Sequence, residues 1–218
     1  MDTLKLLNEV GLQAVVMVLG LIGYRRLPLF FKLIWWQVIA SVFNYSMGQL
    51  LAHYFKVNQA TYNVYIVIEA LLLVLAGFYV LKSTKFRQAR MWLLLLIIVV
   101  FVGQVLISGI GTLANYALCI YSIMIAGVYL LVLFQAIDRR REEKHANAII
   151  LVGLGIVICF ACNAPYWAMF NYLNETYMEI STLLYNYVLN PLSNLRYLMV
   201  ALGFIVLIRR SPSYKEAT

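Results

Sequence analysis

The chain predicts an all-α, polytopic membrane protein: a bundle of seven transmembrane helices, N-terminus outside and C-terminus in the cytoplasm. Three observations carry that expectation. Hydrophobic residues make up 64% of the 218 and charged residues only 12%, with a mean hydropathy of +0.85. A water-soluble domain of this length could not hide so much apolar surface. The apolar residues gather into runs at 6–24, 29–54, 60–81, 91–110, 113–136, 147–171 and 178–208. Each is near or above the ~20 residues that a bilayer requires. Basic residues, finally, fall in alternate loops.

Arg25, Arg26 and Lys32 lie between runs one and two, and Lys82, Lys85, Arg87 and Arg90 between three and four. Arg139, Arg140, Arg141 and Lys144 lie between five and six, and Arg209, Arg210 and Lys215 follow the seventh. Fourteen of the 17 Lys and Arg residues are thus expected on one side, with only Lys5 and Lys56 on the other and Arg196 inside the membrane. The positive-inside rule makes the rich side cytoplasmic, and the alternation closes only with an odd number of helices. Residues 1–210 form one seven-helix domain and 211–218 a short cytoplasmic tail. The net charge of +8 is dispersed through these short loops, which points to the membrane surface and lipids as partners rather than nucleic acid. A cell membrane is the expected location, the bacterial inner membrane in particular.

The first run is interrupted near its start by Asn8, Glu9 and Gln13. It lacks a small-x-small cleavage site and is expected to remain as a helix rather than be removed as a signal peptide. The second carries Gln37, Ser41, Asn44 and Gly48 on one face, and the third Asn58, Tyr62, Tyr65 and Glu69, with Leu73 and Ala76 beneath. The fourth, which includes W-L-L-L-L-I-I-V-V-F-V, is the most apolar and is expected to face lipid. Runs five and six place Asn115, Tyr116, Ser122, Asn163, Tyr166 and Asn171 in the halves away from the basic loops. Trp35, Trp36, Trp92, Trp167 and Tyr54 lie toward run ends, as interfacial anchors would.

The seventh run is over-long, so it tilts or projects. At 100° per residue its Glu179, Asn186, Asn190, Ser193, Asn194 and Tyr197 share one face. Such a polar stripe is costly in hydrocarbon unless it faces protein or water. Pro191 removes one backbone donor beside Asn190 and displaces the carbonyl of Tyr187, as a static kink or a hinge.

Counting residues from the inner charges places Glu69, Arg196, Asn44, Gln13 and Gln104 at one depth, ~18–21 Å above them. Outside that layer helices two, three, five and six carry polar faces, and the inner halves of helices one, three and four are nearly pure Leu, Ile and Val. The expected site is therefore an outward-facing polar pocket lined by Glu69, Asn44, Tyr62, Tyr65, Asn163, Asn186, Asn190, Asn194 and Arg196, above an apolar plug. A carboxylate buried there either pairs with Arg196 or carries a proton. The asparagines either bind a small molecule arriving from outside or hydrogen-bond the helices together.

No catalytic residue, cofactor or metal is expected. Cys159-x-x-Cys162 has the spacing of metal or redox pairs but stands alone in an apolar helix. G-x-S-x-G, H-E-x-x-H and phosphate-loop patterns are absent. The reading that follows is receptor-like: ligand sensing passed to a membrane or cytoplasmic partner, since the loops are too short to hold an output domain. A transporter-like reading comes second and an intramembrane lipid-modifying enzyme third.

Two resemblances bear on this. L-A-G-F-Y-V-L-K ends run three and A-L-G-F-I-V-L-I-R ends run seven, a 3+1+3 repeat that resembles the plan of small seven-helix sugar transporters of the SWEET type. Their proline-glutamine motif is missing here. Asn63-x-Tyr65-x-x-x-Glu69 and Asn190-x-x-x-Asn194 resemble a group of small uncharacterised seven-helix bacterial membrane proteins. That likeness implies the topology and no activity. Members of the group often carry a histidine in helix seven, where this chain has none.

Reporter fusions at Thr84 and Glu142 are expected to read cytoplasmic, and at Asn58 and Asn174 external. An external signal at Glu142 would overturn the helix count.

Overall fold

Among the described residues, seven of the eight α-helices exceed five turns, and each of the seven corresponds to one of the apolar runs or its larger part. The computed structural model describes residues 3–55, 58–81, 84–140 and 145–209. The helices are α1 (Thr3–Gly23), α2 (Leu29–Phe55), α3 (Gln59–Val80), α4 (Thr84–Ser108), α5 (Asn115–Asp138), α6 (Ala146–Thr176), α7 (Met178–Leu184) and α8 (Asn190–Arg209). A π-helical turn, Tyr185–Leu189, joins α7 to α8 without a break. No strand occurs among the described residues. The tail 211–218 lies outside them, as do Lys56, Lys82, Arg141, Lys144 and Arg210 and the side chains of Lys5, Asn8, Glu9, Lys85 and Arg87.

Five stretches are long and apolar enough to cross a membrane: Gln59–Val80, Gln88–Ser108, Asn115–Asp138, Ala146–Thr176 and Met178–Arg209. The chain is a multi-pass membrane protein on that ground. Helix α2 is not among the five. In α2 the residues Lys32, Gln37, Asn44 and Gln49 dilute the apolar run.

Six helices pack in the order α1, α2, α3, α5, α6, α8 into a ring that closes where α8 meets α1. Helix α4 stands outside, against α3 and α5, and only 6% of its most apolar window is buried. It ends at Gly109, whose φ of 79° is left-handed and stops a helix at no steric cost. The turn that follows is held from α3. Asn63, fully buried, donates from Nδ2 to the carbonyls of Ile110 (2.9 Å) and Thr112 (2.6 Å), and its Oδ1 accepts from the Ala114 amide. This is the reason a polar residue sits there in an apolar helix.

One end of the ring is filled by apolar side chains. Phe30, Phe31, Ile34 and Val38 of α2 meet Leu73 and Val74 of α3, Tyr129 of α5 and Phe204 of α8. Phe31 and Phe204 pack edge to face at 5.5 Å. The buried Tyr129 hydroxyl donates to the Leu73 carbonyl at 3.1 Å. Helices α6 and α8 approach closely through glycines: a Cβ on Gly155 would lie 2.7 Å from Met199, and one on Gly203 2.6 Å from Val152 and 3.1 Å from the Ala148 carbonyl. Small residues let helix backbones close on one another in this way.

Two tryptophans correct the expectation of interfacial anchors. Trp35 is buried, its Nε1 donating to the Met17 carbonyl at 3.0 Å, so it joins α1 to α2. Trp167 is buried among Tyr166 and Phe170. Trp36, Trp92 and Tyr54 are exposed on the outer surface, where anchors belong.

Gly155→Val and Gly203→Val are expected to lower thermal stability by forcing α6 and α8 apart, at a cost of about 1–3 kcal/mol each. Gly127→Ala, where nothing lies within 4 Å of the added Cβ, is expected to leave the melting temperature unchanged. Equal effects at all three would show that the α6–α8 contact does not set the stability.

Candidate functional site

The other end of the ring is hollow. A cavity of about 610 Å³ runs between α2, α3, α6 and the Tyr185–Tyr197 stretch, with Gln13 of α1 and Leu118 and Ser122 of α5 completing the wall. All nine residues singled out in the sequence line it: Asn44, Tyr62, Tyr65, Glu69, Asn163, Asn186, Asn190, Asn194 and Arg196. Its floor is at Ser41, Glu69, Arg196 and Tyr197, and Gln49, Asn58 and Thr61 lie at the opposite limit, near the helix ends. The aromatic plug begins directly beneath the floor.

The floor is one hydrogen-bonded assembly. Arg196 Nη1 lies 2.9 Å from Glu69 Oε1, forming an ion pair between α8 and α3. The same oxygen accepts from Gln37 Nε2 of α2 at 2.8 Å and from the Tyr65 hydroxyl, one helical turn earlier on α3, at 3.0 Å. Gln37 Nε2 also donates to Tyr65 at 3.0 Å. Arg196 Nη2 donates to the Tyr197 hydroxyl at 2.6 Å, which is 3.0 Å from Ser41 Oγ of α2. The guanidinium lies over the rings of Phe160 (5.2 Å) and Tyr197 (4.6 Å), adding cation–π attraction. Glu69 is 9% exposed and Arg196 7%, so both charges are withdrawn from water and each needs the other.

Above the floor the side chains are uncharged. Among the described residues, Glu69 and Arg196 are the only Asp, Glu, Lys, Arg or His in the lining. The amides of Asn44, Asn186, Asn190 and Asn194 face the cavity with no side-chain hydrogen bond to protein among the described residues. Asn163 donates weakly to Cys159 Sγ at 3.6 Å, and its buried Oδ1 has no protein partner among the described residues. Cys159 lines the wall while Cys162 faces outward, so the two do not form a pair. Among the described residues no group of three metal-ligating side chains occurs.

Not every member of the expected polar layer reaches the cavity. Gln104 belongs to the peripheral α4, where its Oε1 accepts from the Ala117 amide at 2.7 Å and its Nε2 donates to Asn115 at 3.4 Å. It satisfies an orphan donor in the first turn of α5. Depth counting put it at the right height, but height says nothing of the position around the ring. Tyr116 and Asn171 are exposed on the outside, and Tyr166 meets Ser181 at 3.3 Å, tying α6 to α7.

The expected kink at Pro191 takes a specific form. The Asn190 amide donates to the Tyr185 carbonyl five residues back, making the widened π-helical turn immediately before the proline. A second proline, Pro165, lies inside α6 two residues past Asn163 and escaped the sequence reading. Gln37 and Tyr197 were legible as polar positions, but their roles as partners of Glu69 and Arg196 were not.

A scan against protein-family models gave no match, and searches of curated proteins and of solved structures gave none either. Fold and site together define a multi-pass helical membrane protein with a polar, charge-balanced cavity at one end of its bundle.

Glu69→Gln alone or Arg196→Met alone leaves one buried charge uncompensated, at an expected cost of about 3–5 kcal/mol. The double variant is expected to recover much of that loss. Thermal unfolding of the four proteins in a double-mutant cycle measures the coupling. Additive losses would remove the ion pair from the account of stability, and a Glu69→Gln protein of undiminished stability would mean that the carboxyl is not held as a charge.

Proposed function

We propose that the protein crosses the membrane seven times, N-terminus outside, and binds a small extracytoplasmic ligand in the cavity, signalling its presence to a membrane or cytoplasmic partner. One observation carries the reading. The polar residues of six helices converge on one cavity that ends on a neutral ion pair, with an apolar plug beneath. Arg25, Arg26, Arg139, Arg140 and Arg209 lie at the plugged end. By the positive-inside rule that end is cytoplasmic and the cavity faces out.

The route for a signal is the long helical stretch Met178–Arg209. Its part from Tyr185 to Tyr197 is cavity wall and carries Arg196, and its last residue reaches the basic end. A transport reading draws support from α4, which stands outside a ring made of three helices before it in sequence and three after, as a 3+1+3 plan would have it. Transport additionally requires the Phe30, Phe31 and Phe204 plug to open.

Access to introduced thiols tests this directly. In a protein with Cys119, Cys159 and Cys162 replaced, Asn58→Cys and Asn186→Cys are expected to react with a membrane-impermeant maleimide added to intact cells. Val38→Cys and Leu73→Cys are expected to resist the reagent from both sides. Reaction of Leu73→Cys from the cytoplasmic side would favour transport. Reaction of Asn186→Cys only from that side would overturn the orientation.

A further inference from the structure

We infer that the cavity takes an uncharged, polyhydroxylated group of mono- to disaccharide size, an inference that rests on the ligand-binding reading above and names its ligand class. Charge comes first. Glu69 and Arg196 neutralise each other at 2.9 Å, and among the described residues no other formal charge lines the walls. Both terminal nitrogens of Arg196 are engaged, with Glu69 and Tyr197. A carboxylate, phosphate or ammonium entering this space would lose its hydration without meeting a counter-charge.

Hydrogen-bonding chemistry narrows the class further. Asn44, Asn186, Asn190 and Asn194 each present an NH₂ that donates and an oxygen that accepts, and among the described residues none spends these on protein. Hydroxyl groups both donate and accept, so a ligand bearing several of them matches walls of this kind. Carbonyl-only or apolar ligands would leave the amide donors or acceptors unmet. Trp167, Tyr62 and Phe160 supply flat apolar surface between the amides, suited to the C–H faces of a sugar ring. At about 610 Å³ the space lies within the usual 300–1,000 Å³ range of small-molecule sites.

The group has two sources. It arrives from water as a free sugar, or attached to a lipid as a headgroup. The second is open because lining residues alternate with lipid-facing ones: Asn44 neighbours Phe43, 63% exposed, and Asn186 neighbours Tyr187, 76% exposed.

The test uses the full chain purified in a polyoxyethylene detergent, which contributes no sugar. Melting temperature is measured with maltose, with dodecyl maltoside doped into the micelles, and with glutamate and lysine as charged controls. A ligand that binds only the folded protein raises the melting temperature in step with the logarithm of its concentration. The expected result is a rise of several degrees with maltose or dodecyl maltoside, absent with the controls. The rise is expected to vanish in Asn190→Leu and in Asn44→Ala, neither of which touches the ion pair. A response to maltose assigns a free sugar, and one to dodecyl maltoside alone assigns a lipid-borne headgroup. A sugar response that survives both substitutions overturns the inference. A response to glutamate or lysine alone, lost in Asn190→Leu, overturns the sugar assignment and leaves ligand binding intact. No response to any probe, with Asn190→Leu and Asn44→Ala as stable as the parent or more so, overturns both.

Discussion

An ion pair across an apolar ring sets the terms for this bundle. Helices α3 and α8 are not neighbours in the ring; they face each other over its interior, and Glu69 reaches Arg196 across that space. In hydrocarbon neither charge is tolerable alone, so the azimuth of both helices is fixed by the requirement that they meet. Gln37 extends the same constraint to α2, and Tyr197 with Ser41 closes it from the other side. Three helices are thereby locked at one height. The aromatic plug fits beneath because Phe31 and Phe204 sit on these same helices.

Polar groups in the bundle fall into two physical kinds. Asn63, Gln104 and Tyr129 are buried or half-buried and spend their hydrogen bonds on backbone groups, finishing turns and helix ends that a membrane would otherwise leave unsatisfied. Asn44, Asn186, Asn190 and Asn194 do the opposite, holding amides toward open space. A bundle that needed asparagine only to join helices would pair those amides across interfaces. Their orientation toward one volume argues against interhelical glue and is what the proposed binding role rests on.

Much of this was legible because apolar runs and polar exceptions are strong signals in a membrane chain. Most helix limits follow the runs within about three residues, though α4 begins seven residues before its run and α6 ends five after, and every residue picked for the pocket lies on its wall. What escaped was azimuth and partnership. Residue counting gives height along a helix, so Gln104 looked equivalent to Gln13 although α4 stands outside the ring. Position near a run end suggested interfacial roles for Trp35 and Trp167, but a tryptophan one turn deeper packs inward once its N–H finds a carbonyl, as Trp35 does on Met17. The π-helical turn was hidden because a proline announces that the helix must adjust without saying how.

Electrical balance at the cavity floor bears on how the bilayer's own field acts there. One elementary charge moved through the full membrane potential is worth about 2.3 kcal/mol per 100 mV. Glu69 and Arg196, bound to one another at matched depth, present no net charge to that field. Any rearrangement that carries the two together, with an uncharged occupant above them, does no electrical work. Voltage would act on this site only if the pair separated along the membrane normal.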